Sequence, residues 1–229
     1  MSRSAQKQIS LTKNIKHPNH YIQALYKEEW AFDEEEAVSY KGKWRTLFDN
    51  QLSKALHLEI GCGNGKHFSN LCLKKPQDCF LGIEIKYKAL IQSIQRVRKN
   101  NSKNGRVIRY NASCIDNLFE PKELNNIYIH FPDPWLKKRR SKKHQLIRSD
   151  FCKKLYEIQI KNSFLEFKTD SQDYFEQSVK EFKKAGYQIE KYSKNLYEKE
   201  EPILNHLSQF ELIFVKKNIP IHYALFFRI

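Results

Sequence analysis

The feature that most limits the fold of this chain is a short apolar run that breaks into three glycines. Residues 55–61 read ALHLEIG, the composition of a strand buried on both faces. The chain continues as CGNGKHFSNLCLKK, so that Gly61, Gly63 and Gly65 stand two residues apart before a helical pattern. Because glycine has no Cβ, such a loop can turn sharply and bring backbone close to a ligand. The sequence therefore predicts a strand–loop–helix unit with a ligand-binding turn.

Strand-like and helix-like segments alternate along the rest of the chain. Strands are predicted over 78–85, 105–112, 125–133, 163–170, 187–194 and 210–218, and helices over 66–75, 86–100, 149–161 and 171–185. This alternation indicates a mostly parallel sheet with helices on both faces, and the two late strands indicate an antiparallel finish. Residues 1–50 are predicted to form a basic N-terminal arm and lead-in, and residues 51–229 the main domain.

The charge balance indicates a polyanionic partner. The chain has 41 Lys+Arg against 26 Asp+Glu, a formal net charge of +15. Such an excess attracts nucleic acid, although a merely basic surface is the alternative. The five cysteines include no C-x-x-C pair, which argues against a disulfide framework or a zinc site and favours a cytoplasmic setting. No segment approaches the ~18 apolar residues of a membrane span, so no membrane association is expected.

Three ligand classes place glycines after the first strand. A P-loop requires G-x-x-x-x-G-K-[ST], but Gly61 and Gly65 are one residue too close, and His67 replaces the hydroxyl that would hold magnesium. A dinucleotide fold requires G-x-G-x-x-G, and the third glycine is displaced here. The spacing instead resembles the E-x-G-x-G-x-G loop of class I S-adenosylmethionine (SAM) methyltransferases. A tight turn without a ligand is the alternative interpretation of this loop alone.

Polar residues follow the next two strands at the same predicted sheet edge. Glu84, in LGIEIK, could accept both hydroxyls of a ribose, and the amide of Asn111, in YNA, could meet an adenine edge. Ligands of such sheets bind at the carboxyl ends of the strands, which favours a nucleotide site. An exposed strand-end glutamate and a turn asparagine are the alternatives.

The most informative segment is IYIHFPDPWLKKRRSKKHQLIR, which begins at Ile127. Its two prolines predict a rigid turn that holds Asp133 and Trp135 at the edge of the sheet. Seven Lys/Arg residues and no acid then fall between Lys137 and Arg148. A single-signed run beside a candidate site is expected to bind phosphates, whereas most charge runs only solvate a surface. Trp135 could stack on a base or could be buried under the loop.

The motifs LEIGCGNG, GIEIK, YNA, IHFPDPWLKKRRSKKH, FKTD and SQFE, in this order, resemble those of the bacterial tRNA (guanine-N(7)-)-methyltransferases. The resemblance covers about residues 30–218. It implies a Rossmann-like class I methyltransferase fold: a mostly parallel seven-stranded sheet with an antiparallel last strand and helices on both faces. It implies methyl transfer from SAM to N7 of a guanine in the tRNA variable loop, at position 46. It also implies a monomer or homodimer that needs no protein partner.

The resemblance further implies roles for individual residues. Cofactor contacts are expected from Glu59, Gly61, Gly63, Glu84, Asn111 and Asp133. Asp133 would also be the active-site acid, and no metal is expected. Substrate contacts are expected from Lys137, Asp170, Ser208, Gln209, Phe210 and Glu211. The family commonly has Thr-x-[Phe/Tyr]-Glu at this last segment, and apolar residues follow it here where members often have polar ones. Asp170 and Glu211 could instead pair with lysines.

Three other functions fit parts of the sequence. An amino-methyltransferase acting on adenine typically has a [DNS]-P-P-[FYW] turn, whereas Asp133 here lies between the two prolines. A non-catalytic RNA-binding protein on the same scaffold would be favoured by loss of the glycines or of Glu84, and both are present. An NAD-dependent oxidoreductase is disfavoured by the glycine spacing.

Overall fold

A central eight-stranded sheet organises the computed structural model, which describes residues 11–48, 55–135, 144–198 and 207–229. The strands are β1 (Ala31–Phe32), β2 (Leu56–Ile60), β3 (Cys79–Ile83), β4 (Gly105–Ile108), β5 (Ile127–His130), β6 (Ser163–Thr169), β7 (Gln188–Ser193) and β8 (His222–Arg228). Their order in the sheet is β1-β4-β3-β2-β5-β6-β8-β7. In the part of the chain described, β8 pairs antiparallel with β6 and β7, and the other neighbouring strands are parallel.

Seven α-helices accompany the sheet within these residues. They are α1 (His20–Lys27), α2 (Glu34–Ser39), α3 (Lys66–Lys74), α4 (Tyr87–Lys99), α5 (Ser149–Ile158), α6 (Gln172–Lys184) and α7 (Gln209–Lys216). None of these helices is long and apolar enough to cross a membrane.

Two apolar layers lie on opposite faces of the sheet. Alternate residues of β3 show this, because Leu81 and Ile83 belong to the buried cluster that includes α5 and α6, whereas Phe80 belongs to the one that includes α3 and α4. Every residue of β2 and β3 is buried, as expected for parallel strands covered on both sides. The predicted α/β sheet with an antiparallel last strand is confirmed, and the short β1 adds an eighth strand at the edge.

One predicted strand is wrong. Residues 210–218 were expected to be extended, but Gln209–Lys216 form α7, and the antiparallel last strand is β8. The helix begins with a capping box, in which the Ser208 side chain accepts from the Glu211 N–H and the Glu211 side chain accepts from the Ser208 N–H. The periodicity of the apolar run that follows fits a helix and a strand equally. The reciprocal cap favours the helix.

The segment before the glycine loop packs on the edge of the sheet. Ala31 and Phe32 pair with Val107 and Ile108 of β4. Glu34 is buried, accepts from the backbone and hydroxyl of Thr12 at 3.0 and 2.8 Å, and forms an ion pair with Arg109. The domain boundary at residue 50 stays a prediction, and residues 1–10 of the expected arm lie outside the described residues.

Candidate active site

The glycine loop joins β2 to α3 and leaves space at the carboxyl edge of the sheet. Gly61, Gly63 and Gly65 have φ values of 76°, 55° and 78°, in the left-handed region that favours glycine. A Cβ added at Gly65 would lie 2.4 Å from the Cα of Ser93 in α4. At Gly61 a Cβ would have no neighbour within 4 Å, and at Gly63 its nearest neighbour would be at 3.9 Å. Gly65 therefore serves helix packing, whereas the other two glycines face room for a ligand.

Glu84 is held between this loop and the start of α4. One carboxylate oxygen accepts from the Gly63 N–H at 3.1 Å, and the other accepts from the N–H groups of Ile85 and Lys86 at 2.8 and 2.9 Å. The side chain is half-buried directly after β3. A carboxylate fixed in this way can also accept hydrogen bonds from hydroxyl groups, because each of its oxygens has two acceptor sites.

Asn111 lies directly before a 3-10 turn (Ala112–Asn117) that follows β4. Its side-chain oxygen accepts from the Ser113 N–H at 3.0 Å, so the residue also has the turn role considered above. Asn111 lines a cavity of about 260 Å³ together with Tyr110, Cys114 and Val38. The position agrees with a role at one end of an elongated ligand along the sheet edge.

The FPDPW turn follows β5 at the same edge. The Phe131 N–H donates to the Lys168 carbonyl at 2.8 Å, and Phe131 and Trp135 both have positive φ, 52° and 45°. The exposed Asp133 accepts from the Trp135 N–H at 3.0 Å, which fixes its carboxylate relative to the turn. Trp135 is 44% exposed, and its ring lies 5.3 Å from that of His144.

The predicted substrate segment lies beside this turn. The exposed ring of Phe210 is 6.2 Å from that of Phe131. Glu211, by contrast, is fully buried and accepts from Lys168 Nζ at 2.8 Å and from the Tyr197 hydroxyl at 2.7 Å. The alternative interpretation, a carboxylate paired with a lysine, therefore describes Glu211 in this structure.

A buried charged cluster beneath the site did not emerge from the sequence. The cluster consists of Glu59, His67, His130, Glu166, Lys168 and Glu211. Glu59 accepts from His67 Nδ1 at 3.0 Å, and His130 Nε2 lies 2.8 Å from a Glu166 oxygen. Burial opposes a charge on Lys168, but Glu166 and Glu211 outweigh it and raise the pKa of this lysine. The sequence feature that could have indicated this cluster is the position of charged residues within strands that are otherwise buried.

Comparison with known proteins assigns the chain to a family. The family model Methyltransf_4, described as "Putative methyltransferase", matches residues 53–224. A tRNA (guanine-N(7)-)-methyltransferase of Bdellovibrio bacteriovorus is 36% identical over 195 residues, which cover 85% of this chain and 93% of the relative. The same-named enzyme of Clostridium acetobutylicum is 32% identical over 88% of this chain and 97% of its own length. The chain belongs to the tRNA (guanine-N(7)-)-methyltransferase family.

Solved structures confirm the fold of this family member. A Listeria monocytogenes protein described as a "putative S-adenosylmethionine dependent methyltransferase" superposes with a TM-score of 0.53 at 15% identity, over 85% of this chain and all of that one. An antibiotic-related methyltransferase gives a TM-score of 0.53 at 16% identity over 96% and 98% of the two chains. These similarities concern the fold alone.

The structure brings most of the predicted site residues to one edge of the methyltransferase sheet. The loops after β2, β3, β4, β5 and β6 carry, in turn, Gly61, Glu84, Asn111, Asp133 and Asp170. Glu59 differs, because it lies within β2 and is buried beneath the loop. Phe210 of α7 lies beside the FPDPW turn at this edge, Ser208 and Gln209 directly precede it in the chain, and Lys137 lies outside the described residues. The roles of all these residues stay predictions.

Proposed function

We propose that this protein transfers the methyl group of SAM to N7 of a guanine at position 46, in the variable loop of tRNA. The observation that carries the proposal is the shared sheet edge, where a glycine loop with open space, a fixed Glu84 and the exposed Asp133 meet. Family membership supports the reaction and its substrate. We further propose that the reaction takes place in the cytoplasm and requires no other protein.

The cofactor would lie along the loops after β2, β3 and β4. Gly61 and Gly63 would let the backbone approach its methionine part, because no side chain occupies that space. Glu84 would accept the ribose hydroxyls while its backbone contacts hold it in place. Asn111 would meet the adenine end. When bound, SAM supplies an electrophilic methyl group on a sulfonium centre.

The reaction requires the protein mainly to align the two reactants and to stabilise the positive charge that develops on the base. Guanine N7 has a lone pair and no proton, so no general base is required. The site must hold the base in line with the methyl group, which is a proximity effect. Methylation leaves the purine positively charged, and the carboxylate of Asp133 would favour that developing charge. Asp133 could also accept from the guanine N1–H and exocyclic amine, which would orient the base.

The tRNA would be held by charge and by stacking around this edge. The basic run from Lys137 to Arg148 would contact backbone phosphates. The exposed faces of Trp135 and Phe210 would stack on bases, an interaction worth about 1–3 kcal/mol per base. Asp170, exposed directly after β6, would contact the substrate from the next loop.

The test is methyl transfer from labelled SAM to an unmodified tRNA transcript, followed by reduction and aniline cleavage, which cuts at 7-methylguanosine. We expect label in the tRNA and a cut in the variable loop, and no cut in a transcript with adenosine at position 46. Label without that cut would indicate another RNA methyltransferase. Binding of SAM and tRNA without any label would indicate a binding protein on a methyltransferase scaffold.

A further inference from the structure

The peptide unit between Pro134 and Trp135 is held at both of its ends. Its N–H, which belongs to Trp135, donates to the Asp133 carboxylate at 3.0 Å. Its carbonyl oxygen, which belongs to Pro134, accepts from the side-chain nitrogen of Gln145 at 2.7 Å. Because a trans peptide unit is planar and its C=O and N–H point in opposite directions, a bond that fixes the carbonyl also fixes the N–H. Gln145 therefore determines where the N–H that orients Asp133 points.

The backbone of Trp135 opposes this orientation of the peptide unit. Trp135 has a φ of 45°, a value that a bulky residue rarely adopts. Such a conformation is unfavourable and persists only where the surrounding structure holds it. Rotation of the peptide unit by about 180° would give Trp135 a negative φ and would turn its N–H away from Asp133. The hydrogen bond from Gln145 opposes this rotation, because the rotated carbonyl would point away from the glutamine.

Gln145 is itself fixed to α6. The residue is only 4% exposed, and its side-chain oxygen accepts from Nε2 of Gln177, in α6, at 3.0 Å. Two residues further along the chain, the N–H of the buried Ile147 donates to the hydroxyl of Tyr174, also in α6, at 3.1 Å. Since the oxygen of the glutamine amide faces Gln177, its nitrogen is the group that remains to donate to Pro134.

We propose that Gln145 is a positioning residue for methyl transfer, which holds the Pro134–Trp135 peptide unit so that the Asp133 carboxylate is directed toward the target base. This inference rests on the proposed function, in which Asp133 faces the purine. Gln145 contacts neither the cofactor nor the base in this assignment, and it acts through Asp133. In the sequence it is an uncharged residue within the basic run, so the charge pattern of that segment does not single it out.

The first measurement does not depend on methyl transfer. Exchange of the Trp135 amide hydrogen with water is followed by NMR in protein that carries isotope-labelled tryptophan. The chain has three tryptophans, and a Trp135→Phe variant assigns the signal. Gln145→Met keeps the length of the side chain but cannot donate, so we expect exchange to become about 2–10-fold faster, as for the loss of one hydrogen bond. An unchanged exchange rate in the folded variant would overturn the proposal.

Gln159→Met is the matched control. Gln159 is another buried glutamine, whose Nε2 donates to the Phe164 carbonyl at 2.8 Å and whose oxygen accepts from the Tyr187 hydroxyl at 2.7 Å. It lies before β6, at the opposite edge of the sheet from the candidate site. Each substitution removes one donated and one accepted hydrogen bond, but only Gln145→Met should change the Trp135 exchange rate and the reaction. Equal effects of the two variants would indicate a general loss of stability and would overturn the proposal.

Methyl transfer at varied tRNA concentration measures the effect on the reaction. In Gln145→Met we expect kcat to fall about 10–100-fold, as for a misplaced group at the reacting centre, whereas the KM for tRNA and the affinity for SAM stay at wild-type values. In an Asp133→Ala background no carboxylate remains to be directed, so the same substitution should lower kcat by less than about twofold. A full loss in that background would show that Gln145 acts independently of Asp133 and would overturn the proposal.

Gln145→Glu provides a second substitution in case Gln145→Met does not fold. An ionised carboxylate keeps the shape of the side chain but only accepts, so it cannot bind the Pro134 carbonyl. We expect the same faster exchange and the same fall in kcat, with a circular dichroism spectrum that matches the wild type. Wild-type exchange in folded Gln145→Glu would overturn the proposal. If the wild-type protein transferred no methyl group, the proposed function would fail, and the Trp135 exchange rate would still decide whether Gln145 holds the turn.

Discussion

Gly61 and Gly65 have almost the same φ but different surroundings, and substitution by alanine separates their roles. At Gly65 the new Cβ would meet the backbone of α4, so the Gly65→Ala variant combines left-handed strain with overpacking. We expect its free energy of unfolding to fall by about 3 kcal/mol or more. Gly61→Ala adds only the strain, about 1–2 kcal/mol, and places a methyl group in the cofactor space.

Urea unfolding and calorimetric titration with SAM check this pair. The Gly61→Ala variant should stay folded and bind SAM at least about tenfold more weakly, a difference of about 1.4 kcal/mol. Unchanged SAM affinity in a folded Gly61→Ala protein would mean that this glycine serves the turn and not the cofactor.

Asp133 is the residue whose charge the proposed reaction uses. In Asp133→Asn, the side-chain oxygen can still accept from the Trp135 N–H, so the turn should keep its shape. The negative charge near the methylated purine is lost, and we expect kcat to fall about 10²–10³-fold, as for removal of one electrostatic stabiliser. Single-turnover methyl transfer at saturating SAM and tRNA measures this step. Wild-type turnover in the variant would show that the charge has no part in it.

At the scale of elements, the sequence predicted the repeating β–α units well and α7 badly. Buried strands such as β2 and β3 are short, mostly apolar runs bounded by turn residues, and their sequences predict a strand directly. The run that forms α7 fits helix or strand equally, and only its Ser208-x-x-Glu211 start distinguishes them. The buried cluster was not predictable, because β2, α3, β5, β6 and α7 each contribute to it, and the distance between them in space depends on the strand order.

Glu211 connects α7 to the sheet and makes stability depend on pH. Burial alone would raise the pKa of Glu211. Burial is outweighed by the charge of Lys168, by the nearby His130 and by hydrogen bonds from Lys168 and Tyr197. Together they hold the pKa of Glu211 at about 2. Because the folded-state value lies below the unfolded value of about 4.3, the contribution is present above that pH and is lost as the pH falls toward 2.

Replacement of Glu211 by glutamine tests this contact. The variant leaves Lys168 with one fewer carboxylate and weakens the capping box, so we expect the free energy of unfolding at pH 7 to fall by about 3 kcal/mol. Urea unfolding of both proteins from pH 7 downward measures the difference. It should stay constant to about pH 5 and then shrink as the wild-type carboxylate is protonated. A difference that does not change with pH would show that the charge of Glu211 contributes nothing.

At the scale of the whole molecule, the parallel sheet collects distant residues at one edge, and in the proposed function the positive charge would bring the tRNA to it. The net charge of +15 would attract tRNA from any direction, whereas the run after the FPDPW turn would bind phosphates at one place. Overall attraction and local phosphate binding can be distinguished by variants that remove positive charges at different places. Loss of overall charge should not depend on where the lysines are removed, but loss of a local contact should.

The triple variant Lys138→Ala, Arg139→Ala, Arg140→Ala therefore needs a control with the same net charge. Lys180→Ala, Lys183→Ala, Lys184→Ala also lowers the charge by three, on exposed positions in the C-terminal half of α6, which leads away from the site edge. If the basic run binds phosphates, only the first variant should lower the slope of log affinity against log salt, by about 2–3, because each phosphate contact contributes about 0.7–0.9. SAM affinity should be unchanged in both variants. Equal weakening of tRNA binding in the two proteins would assign the attraction to overall charge, and the basic run would then have no local role.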